Sequence, residues 1–242
     1  MSAVWLLAAT VACAAAPEEP PPPTEGPGVV VGVVVNGSAG DTPVPGAEVV
    51  LRMHRAGQFV PWTKTLADEQ GRFRFERLPA AGGCVYLPGA NRHGVHYPGP
   101  RVQLSAAQPR AAVRLTVYDA LESPNPLVLL LHEVTVRAEP QALRVTEYLR
   151  IENPARRCYI GQPAPDDQPP VTLKLAIPME FERATFDKEF FGRRFSVGSG
   201  GLVTGVPWPP GCTNSALLTR FLAPSGAWFG SERWTCRAAS SA

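Results

Sequence analysis

Short runs of alternating hydrophobic and polar residues fill most of the chain, and turn residues separate them. The run GVVVGVVVNG is rich in β-branched residues and ends at Asn36-Gly37, which predicts a strand that enters a turn. Pro45 and Gly46 then predict a type II turn, because proline presets the second position and glycine accepts the positive φ of the third. A hydrophobic period of two over such short runs favours strands over helices.

The same alternation surrounds a second turn signal. Residues 63–66 predict a strand, Asp68 can accept a hydrogen bond within its own turn, and Gly71 can close that turn in the left-handed conformation. Phe73 and Phe75 then fall on one face of the next strand. This segment is interpreted as a hairpin over a hydrophobic core, with no residue left over for a chemical site.

The second half of the chain continues the strand pattern after a boundary at ALESPNP, residues 120–126. The segments LVLLLHEVTVRAE, LRVTEYLRIEN and VTLKLAIP predict successive strands. The most apolar run, residues 126–131, is too short to cross a membrane and predicts a fully buried strand. The expected fold class is therefore all-β, with two β-sandwich modules.

Length and composition are consistent with two modules. The chain has 242 residues, of which 27 are proline, 22 are glycine and 45% are hydrophobic, as expected for many short strands between turns. The predicted organisation is a leader over residues 1–16, a proline-rich linker over 17–27, a first sandwich over 28–119 and a second over 120–238.

The N-terminus indicates export. Residues 4–16 form an uncharged apolar run of signal-peptide length. Two processing routes stay open: cleavage after the small residues 14–16, or lipidation of Cys13, since TVAC resembles a bacterial lipobox. The segment AAAPEEPPPPTEGPG would then act as a stiff tether, so the expected location is the periplasm or the outer cell envelope, and the expected membrane contact is through this lipid anchor alone.

Four cysteines follow Cys13, and an even number in an exported chain permits two disulfides with three pairings. Cys212 and Cys236 are the preferred candidate pair, because they are close in sequence and both lie in the C-terminal part.

Charge excludes one class of partner. The chain carries 23 basic and 21 acidic residues, for a net charge of +2, and no run of like charges longer than a pair. Nucleic-acid binding requires a concentrated basic face, so no nucleic-acid partner is expected.

Two groups of residues are candidates for chemistry. His93 and His96 could share a metal ion, but no third ligand lies nearby in the sequence, and loop histidines without a metal are the commoner case. Trp208, Trp228 and Trp234 could stack on sugar rings, although aromatic residues of sandwiches are more often buried. We therefore predict no catalytic residue, no metal and no cofactor.

The segments PVPGAEVVL and TLADEQGRFRFERLP resemble the carboxypeptidase regulatory-like domain, and the resemblance extends from Val29 to Asp119. It implies a transthyretin-like, seven-stranded β-sandwich. Such domains occur as non-catalytic appendages of zinc carboxypeptidases, surface proteins and outer-membrane receptors, so the resemblance implies a bacterial envelope protein without peptidase activity.

The expected function is non-catalytic: a secreted or cell-envelope protein that presents β-sandwich modules on a tether to an unidentified envelope protein or polysaccharide. Two alternatives stay open. The tryptophans would make the protein a carbohydrate-binding module, and the histidines would make it an accessory of a metal-dependent hydrolase.

Overall fold

The computed structural model describes residues 25–139, 142–162, 170–175, 181–186, 196–198, 201–222 and 233–238. Nearly all of the regular structure in these ranges is β-strand, which confirms the all-β fold class. These ranges contain no helix with the length and hydrophobicity that a membrane span requires.

The strands of the first half follow one another with short connections. They are β1 (Gly28–Asn36), β2 (Thr42–Pro43), β3 (Glu48–Arg55), β4 (Gln58–Leu66), β5 (Arg72–Leu78), β6 (Cys84–Arg92), β7 (Val95–Pro98), β8 (Val102–Leu104) and β9 (Arg110–Val117). One turn of 3-10 helix, Gly37–Ala39, follows β1.

These strands form two sheets. In the first sheet β1 is central: β2 and β5 pair with it antiparallel, and β9 pairs with it in parallel. In the second sheet the order is β4-β3-β6-β7, and β8 pairs with β6. Alternate residues of both sheets face a shared core, so the first half has β-sandwich character.

The core between the two sheets is built from the alternating positions that the sequence predicts. Val49 and Leu51 of β3 are fully buried, and Phe73 and Phe75 of β5 are each 4% exposed. Burying a side chain of this size contributes roughly 1.5–3 kcal/mol, so this period of two is the main determinant of which face turns inward.

Both predicted turns form, but one of them connects different strands than expected. Gly46 has a φ of 67° and Gly71 a φ of 71°, and Asp68 Oδ1 accepts hydrogen bonds from the amides of Gln70 and Arg72. The predicted hairpin is nevertheless wrong, because β4 pairs with β3 and β5 pairs with β1. The Asp68 turn carries the chain from one sheet to the other.

The regular structure of the described residues in the second half is also β-strand. Its strands are β10 (Ala120–Leu121), β11 (Val128–Glu139), β12 (Ala142–Asn153), β13 (Cys158–Tyr159), β14 (Leu173–Leu175), β15 (Phe181–Phe186), β16 (Ser196–Gly198), β17 (Gly201–Thr204), β18 (Gly211–Leu222) and β19 (Arg233–Ala238). They form a five-stranded sheet in the order β15-β18-β12-β11-β19, a three-stranded sheet in the order β14-β17-β16, and the short parallel pair β10-β13.

A second apolar cluster lies in this half. Its buried members come from β10, β12, β13 and the segment after β17, and Leu173 and Leu175 of β14 pack against it; the buried members are Leu121, Leu149, Ile151, Tyr159, Val206 and Trp208. One prediction for this half is wrong: residues 126–131 enter a strand, but Val128 and Leu129 are each 39% exposed and so are not fully buried.

The register of the five-stranded sheet contradicts the predicted Cys212–Cys236 disulfide. Cys212 pairs with Glu152, which in turn pairs with Val128, whereas Cys236 pairs with Val134. Six residues of strand separate those two levels, or about 20 Å, and a disulfide needs Cα atoms within about 7 Å. Cys212 is accordingly a free, exposed cysteine.

Short hydrogen bonds join the two halves next to the predicted boundary. The Ser38 hydroxyl donates to the Arg156 carbonyl at 2.7 Å and accepts from the Asp119 amide at 2.9 Å. The Cys158 amide donates to the Asp119 carbonyl at 2.9 Å, and the Cys158 side chain belongs to the core of the first half. The division after residue 119 stays a prediction, and Asp119 is the point where the halves meet.

Candidate functional site

A cleft of about 310 Å³ lies where the outer face of the second sheet meets the segment after β17. Residues of β3 and β7 form one wall, and two prolines of the second half form the other; the lining residues are Arg52, Val95, His96, Tyr97, Pro98, Pro207 and Pro209. Both halves of the chain therefore contribute to this cleft.

Arg52 reaches the cleft because of its position in β3. Its neighbours Leu51 and Met53 point into the core, so the alternation of the strand turns Arg52 outward. The pairing with β4 shifts at this point: Leu51 lies opposite Thr63 and Arg52 opposite Pro61, which leaves Trp62 as the extra residue of a bulge. Bulges of this kind re-aim the neighbouring side chains.

The Arg52 guanidinium has an unusual environment. Its Nε is buried and has no hydrogen-bond acceptor among the described residues. An unmet buried donor costs roughly 1–3 kcal/mol, and this Nε lacks the polar partner that buried groups normally have.

His96 is the second polar group of the cleft. It is opposite Asn91 in the β6-β7 pairing, and its Nδ1 lies 2.7 Å from Asn91 Oδ1. Its ring lies directly over Gly89, where a Cβ would be 2.5 Å from Cε1 and 2.6 Å from Nε2 of His96. Glycine at position 89 thus makes the space for the imidazole.

A series of hydrogen bonds determines that Nδ1 of this ring carries a hydrogen. Asn91 Nδ2 donates to Glu48 Oε1 at 2.8 Å, and Lys64 Nζ donates to Glu48 Oε2 at 3.2 Å. Because Asn91 presents its carbonyl oxygen to His96, Nδ1 of the ring must carry a hydrogen. Nε2 is then the ring nitrogen that takes no part in this series of hydrogen bonds.

Burial and the nearby charge of Arg52 both lower the pKa of His96 below its ordinary value. The hydrogen bonds from Asn91 and Lys64 lower the pKa of Glu48. At neutral pH the cleft therefore combines a guanidinium cation with a neutral imidazole, and the carboxylate of Glu48 is bonded to Asn91 and Lys64.

Pro207 and Pro209 form the wall of the cleft that is called the proline wall below, and buried polar groups of the second half hold it in place. Asn153 Nδ2 donates to the Trp208 carbonyl at 2.7 Å, and Trp208 Nε1 donates to Thr172 Oγ1 at 3.2 Å. Trp208 lies between Pro207 and Pro209 in the sequence. Fixing Trp208 therefore fixes the two prolines that line the cleft.

The structure separates the two histidines of the predicted metal candidate. His93 is in the β6-β7 turn with a φ of 49°, and its Nε2 lies 3.9 Å from Asp119 Oδ1, whereas His96 is bonded to Asn91. No group of three or more His, Cys, Asp or Glu residues that could hold a metal occurs among the described residues. His96 thus contributes to the cleft, and His93 to the junction at Asp119.

The tryptophan candidates have different outcomes. Trp208 is 2% exposed and belongs to the second apolar cluster, so it is not available to stack on a sugar, and that prediction is wrong for this residue. Trp228 lies outside the described residues, as does the lipidation candidate Cys13, and only the backbone of Trp234 is described. These predictions stay open.

Sequence reasoning missed Arg52, Asn91 and Gly89. The alternation around Leu51 is a signal that Arg52 points outward, but an outward arginine is ordinary on a strand. What makes it distinctive is the bulge and the approach of Pro207 and Pro209, and neither leaves a local mark in the sequence.

No protein-family model matches this chain, and no curated protein matches it either. The resemblance to the carboxypeptidase regulatory-like domain therefore stays an expectation.

Proposed function

We propose that this is a non-catalytic binding protein of the bacterial cell envelope whose recognition site is the cleft between Arg52 and the proline wall. The observation that carries the proposal is that Arg52 lines a cleft while its buried Nε has no acceptor among the described residues. A ligand that accepts hydrogen bonds from the guanidinium would remove that cost.

The chemistry of the cleft supports binding over catalysis. Nucleophilic catalysis by a hydroxyl or a thiol needs a base that activates this group and a third group that orients the base. The described lining residues supply one imidazole and one tyrosine, and the Tyr97 hydroxyl donates to the Tyr118 carbonyl at 3.3 Å. His96 therefore stands beside Arg52 as a polar contact for a ligand.

The scaffold supports the same proposal. Binding is tighter when the walls of a site are held in position before the ligand arrives. The junction at Asp119 and Ser38 ties the two halves together, so the walls of the cleft are braced against each other. We further propose that the first half is a transthyretin-like sandwich of the carboxypeptidase regulatory-like kind, and its two facing sheets support this.

The N-terminal residues support export and a tether. The apolar run at 4–16 and the prolines that follow it favour a protein held in the periplasm or at the outer envelope, with Cys13 as the candidate lipid attachment point. Labelling with radioactive palmitate tests the anchor: the label should enter the wild-type protein and be lost in Cys13→Ser.

The binding function is tested by thermal shift with a panel of defined probes: benzoate, inorganic phosphate, benzamide and N-acetylglucosamine. At least one probe should raise the Tm of the wild type and raise that of Arg52→Gln less, and mass spectrometry should recover the probe unchanged. The proposal fails if every probe that binds does so equally well in Arg52→Gln, or if a bound probe is converted to product.

A further inference from the structure

The charge, shape and lining of the Arg52 cleft indicate the chemical class of the ligand that it would bind. We infer that it binds a small monocarboxylate, with the carboxylate held by the Arg52 guanidinium, the imidazole of His96 beside it, and an apolar body against the prolines. This inference rests on the proposed function, because it names the ligand class of the same cleft.

The positive charge of Arg52 is available to a ligand in the cleft. Among the described residues, Arg52 makes no ion pair within 4 Å, whereas Lys64 pairs with Glu48, Arg92 with Asp119 and Arg114 with Asp41. No carboxylate of the described residues therefore neutralises the positive charge of Arg52, and this charge is partly shielded from solvent. A cation in such a position selects an anion.

The shape of the Arg52 guanidinium favours a carboxylate as the anion. The planar guanidinium matches a carboxylate in a bidentate arrangement, with two parallel N–H···O bonds. Arg52 Nε is buried, so the bidentate arrangement requires the end of the side chain to rotate and present Nε and one Nη to the ligand together. This arrangement gives the unmet donor an acceptor, and a neutral ligand offers a weaker one.

The net charge of the cleft favours a monoanion over a dianion. The described lining residues of the cleft include one permanent cation, Arg52, and His96 is neutral at pH 7 because burial and Arg52 lower its pKa. Lys64 is paired with Glu48, whose carboxylate lies at the far end of the bonds through Asn91. One positive charge balances a carboxylate and leaves a phosphate dianion uncompensated.

The apolar lining of the cleft indicates what the rest of the ligand looks like. Val95 and three prolines, Pro98, Pro207 and Pro209, give the cleft apolar walls. Its volume of about 310 Å³ is at the lower end of the range for small-molecule sites. The fitting ligand is therefore a compact organic acid with an apolar body, for which benzoate is a suitable probe.

The test is a titration of the purified protein with benzoate, followed by two-dimensional NMR, with benzamide and inorganic phosphate as comparison probes. Benzoate should shift the signals of the cleft residues in a saturable way, and benzamide should bind at least tenfold more weakly. Arg52→Gln should weaken benzoate binding by about tenfold to a hundredfold, since it removes a hydrogen-bonded ion pair.

Two further variants guard against a trivial explanation. Arg52→Lys keeps the positive charge but loses the planar pair of N–H donors, so its affinity for benzoate should lie between those of the wild type and Arg52→Gln. Arg74→Gln, on β5 of the other sheet, should bind benzoate like the wild type. An unchanged pattern of NMR signals outside the cleft verifies that each variant is folded.

The possible outcomes separate this inference from the proposed function. If benzamide or phosphate binds the cleft as tightly as benzoate, the monocarboxylate is the wrong ligand class but the cleft is still a binding site. If Arg52→Gln leaves benzoate binding unchanged, Arg52 is not the recognition group, and the inference is overturned. If none of the probes shifts the cleft signals, both the inference and the proposed function fail.

Discussion

Asn153 is the residue whose replacement tests most directly how the proline wall is held. It is 1% exposed, and its side chain makes three hydrogen bonds with described residues. Nδ2 donates to the carbonyls of Trp208 at 2.7 Å and Arg157 at 2.9 Å, and Oδ1 accepts from the Ala155 amide at 3.0 Å. At roughly 1 kcal/mol for each bond, Asn153→Ala should lower the free energy of unfolding by about 3 kcal/mol.

Differential scanning calorimetry checks this prediction. For a chain of this size each kcal/mol corresponds to about 2–4 °C, so the Tm of the transition that includes the second half should fall by roughly 6–12 °C. The cleft should also bind benzoate more weakly if it is the site proposed above, because Trp208 would no longer fix Pro207 and Pro209.

Asn125→Ala is the matched control. Asn125 is exposed, and its Oδ1 accepts one hydrogen bond from the Leu127 amide at 3.0 Å, so its replacement should cost below about 1 kcal/mol. If Asn153→Ala lowers the Tm no more than Asn125→Ala does, the buried bonds of Asn153 do not hold the wall, and the account of how the cleft is braced is wrong.

Three further predictions follow from the same contacts. Gly89→Ala should push the His96 ring away from Asn91 and lower the free energy of unfolding by about 1–3 kcal/mol in urea titrations; wild-type stability would contradict the close packing of that ring. Because burial and Arg52 lower the pKa of His96 in the folded state, the unfolded chain takes up this proton first, and stability should fall as the pH drops below about 6.5. The charged groups near the His96 ring are Arg52, Glu48 and Lys64. His96→Gln should make the free energy of unfolding less dependent on pH below about 6.5. If the slope of stability against pH is unchanged in this variant, His96 is not the group that causes it. Leu51→Ala, fully buried between the sheets, should cost about 2–5 kcal/mol, whereas Leu66→Ala, 66% exposed, should change stability by less than about 0.5 kcal/mol; equal effects would contradict the assigned core.

Local turn chemistry and alternation predict much of the first half. Gly46, Gly71 and Asp68 behave as their residue types require, and Phe73 and Phe75 face the core. Strand partners are a different matter, because pairing is decided by contacts between distant segments. The Asp68 turn has the residues of a hairpin, but burial of the phenylalanines draws β5 to β1 and leaves β4 with β3.

The cleft is harder to predict because its walls are distant in sequence. Arg52 and His96 meet through the pairing of β3, β6 and β7, and Pro207 arrives from the second half. His96 was a candidate as a metal ligand, and its observed partner Asn91 is an ordinary residue five positions earlier. The Cys212–Cys236 prediction failed for the same reason: closeness in sequence says little about strands that lie three positions apart in a sheet.

The most direct measurement of the central claim is a crystal structure of the protein grown with benzoate. The account predicts density for a carboxylate within about 3 Å of Nε and one Nη of Arg52, with the aromatic ring against Pro207 and Pro209. An Arg52 guanidinium bonded to a protein carboxylate, with side chains filling the cleft and benzoate elsewhere or absent, would contradict it.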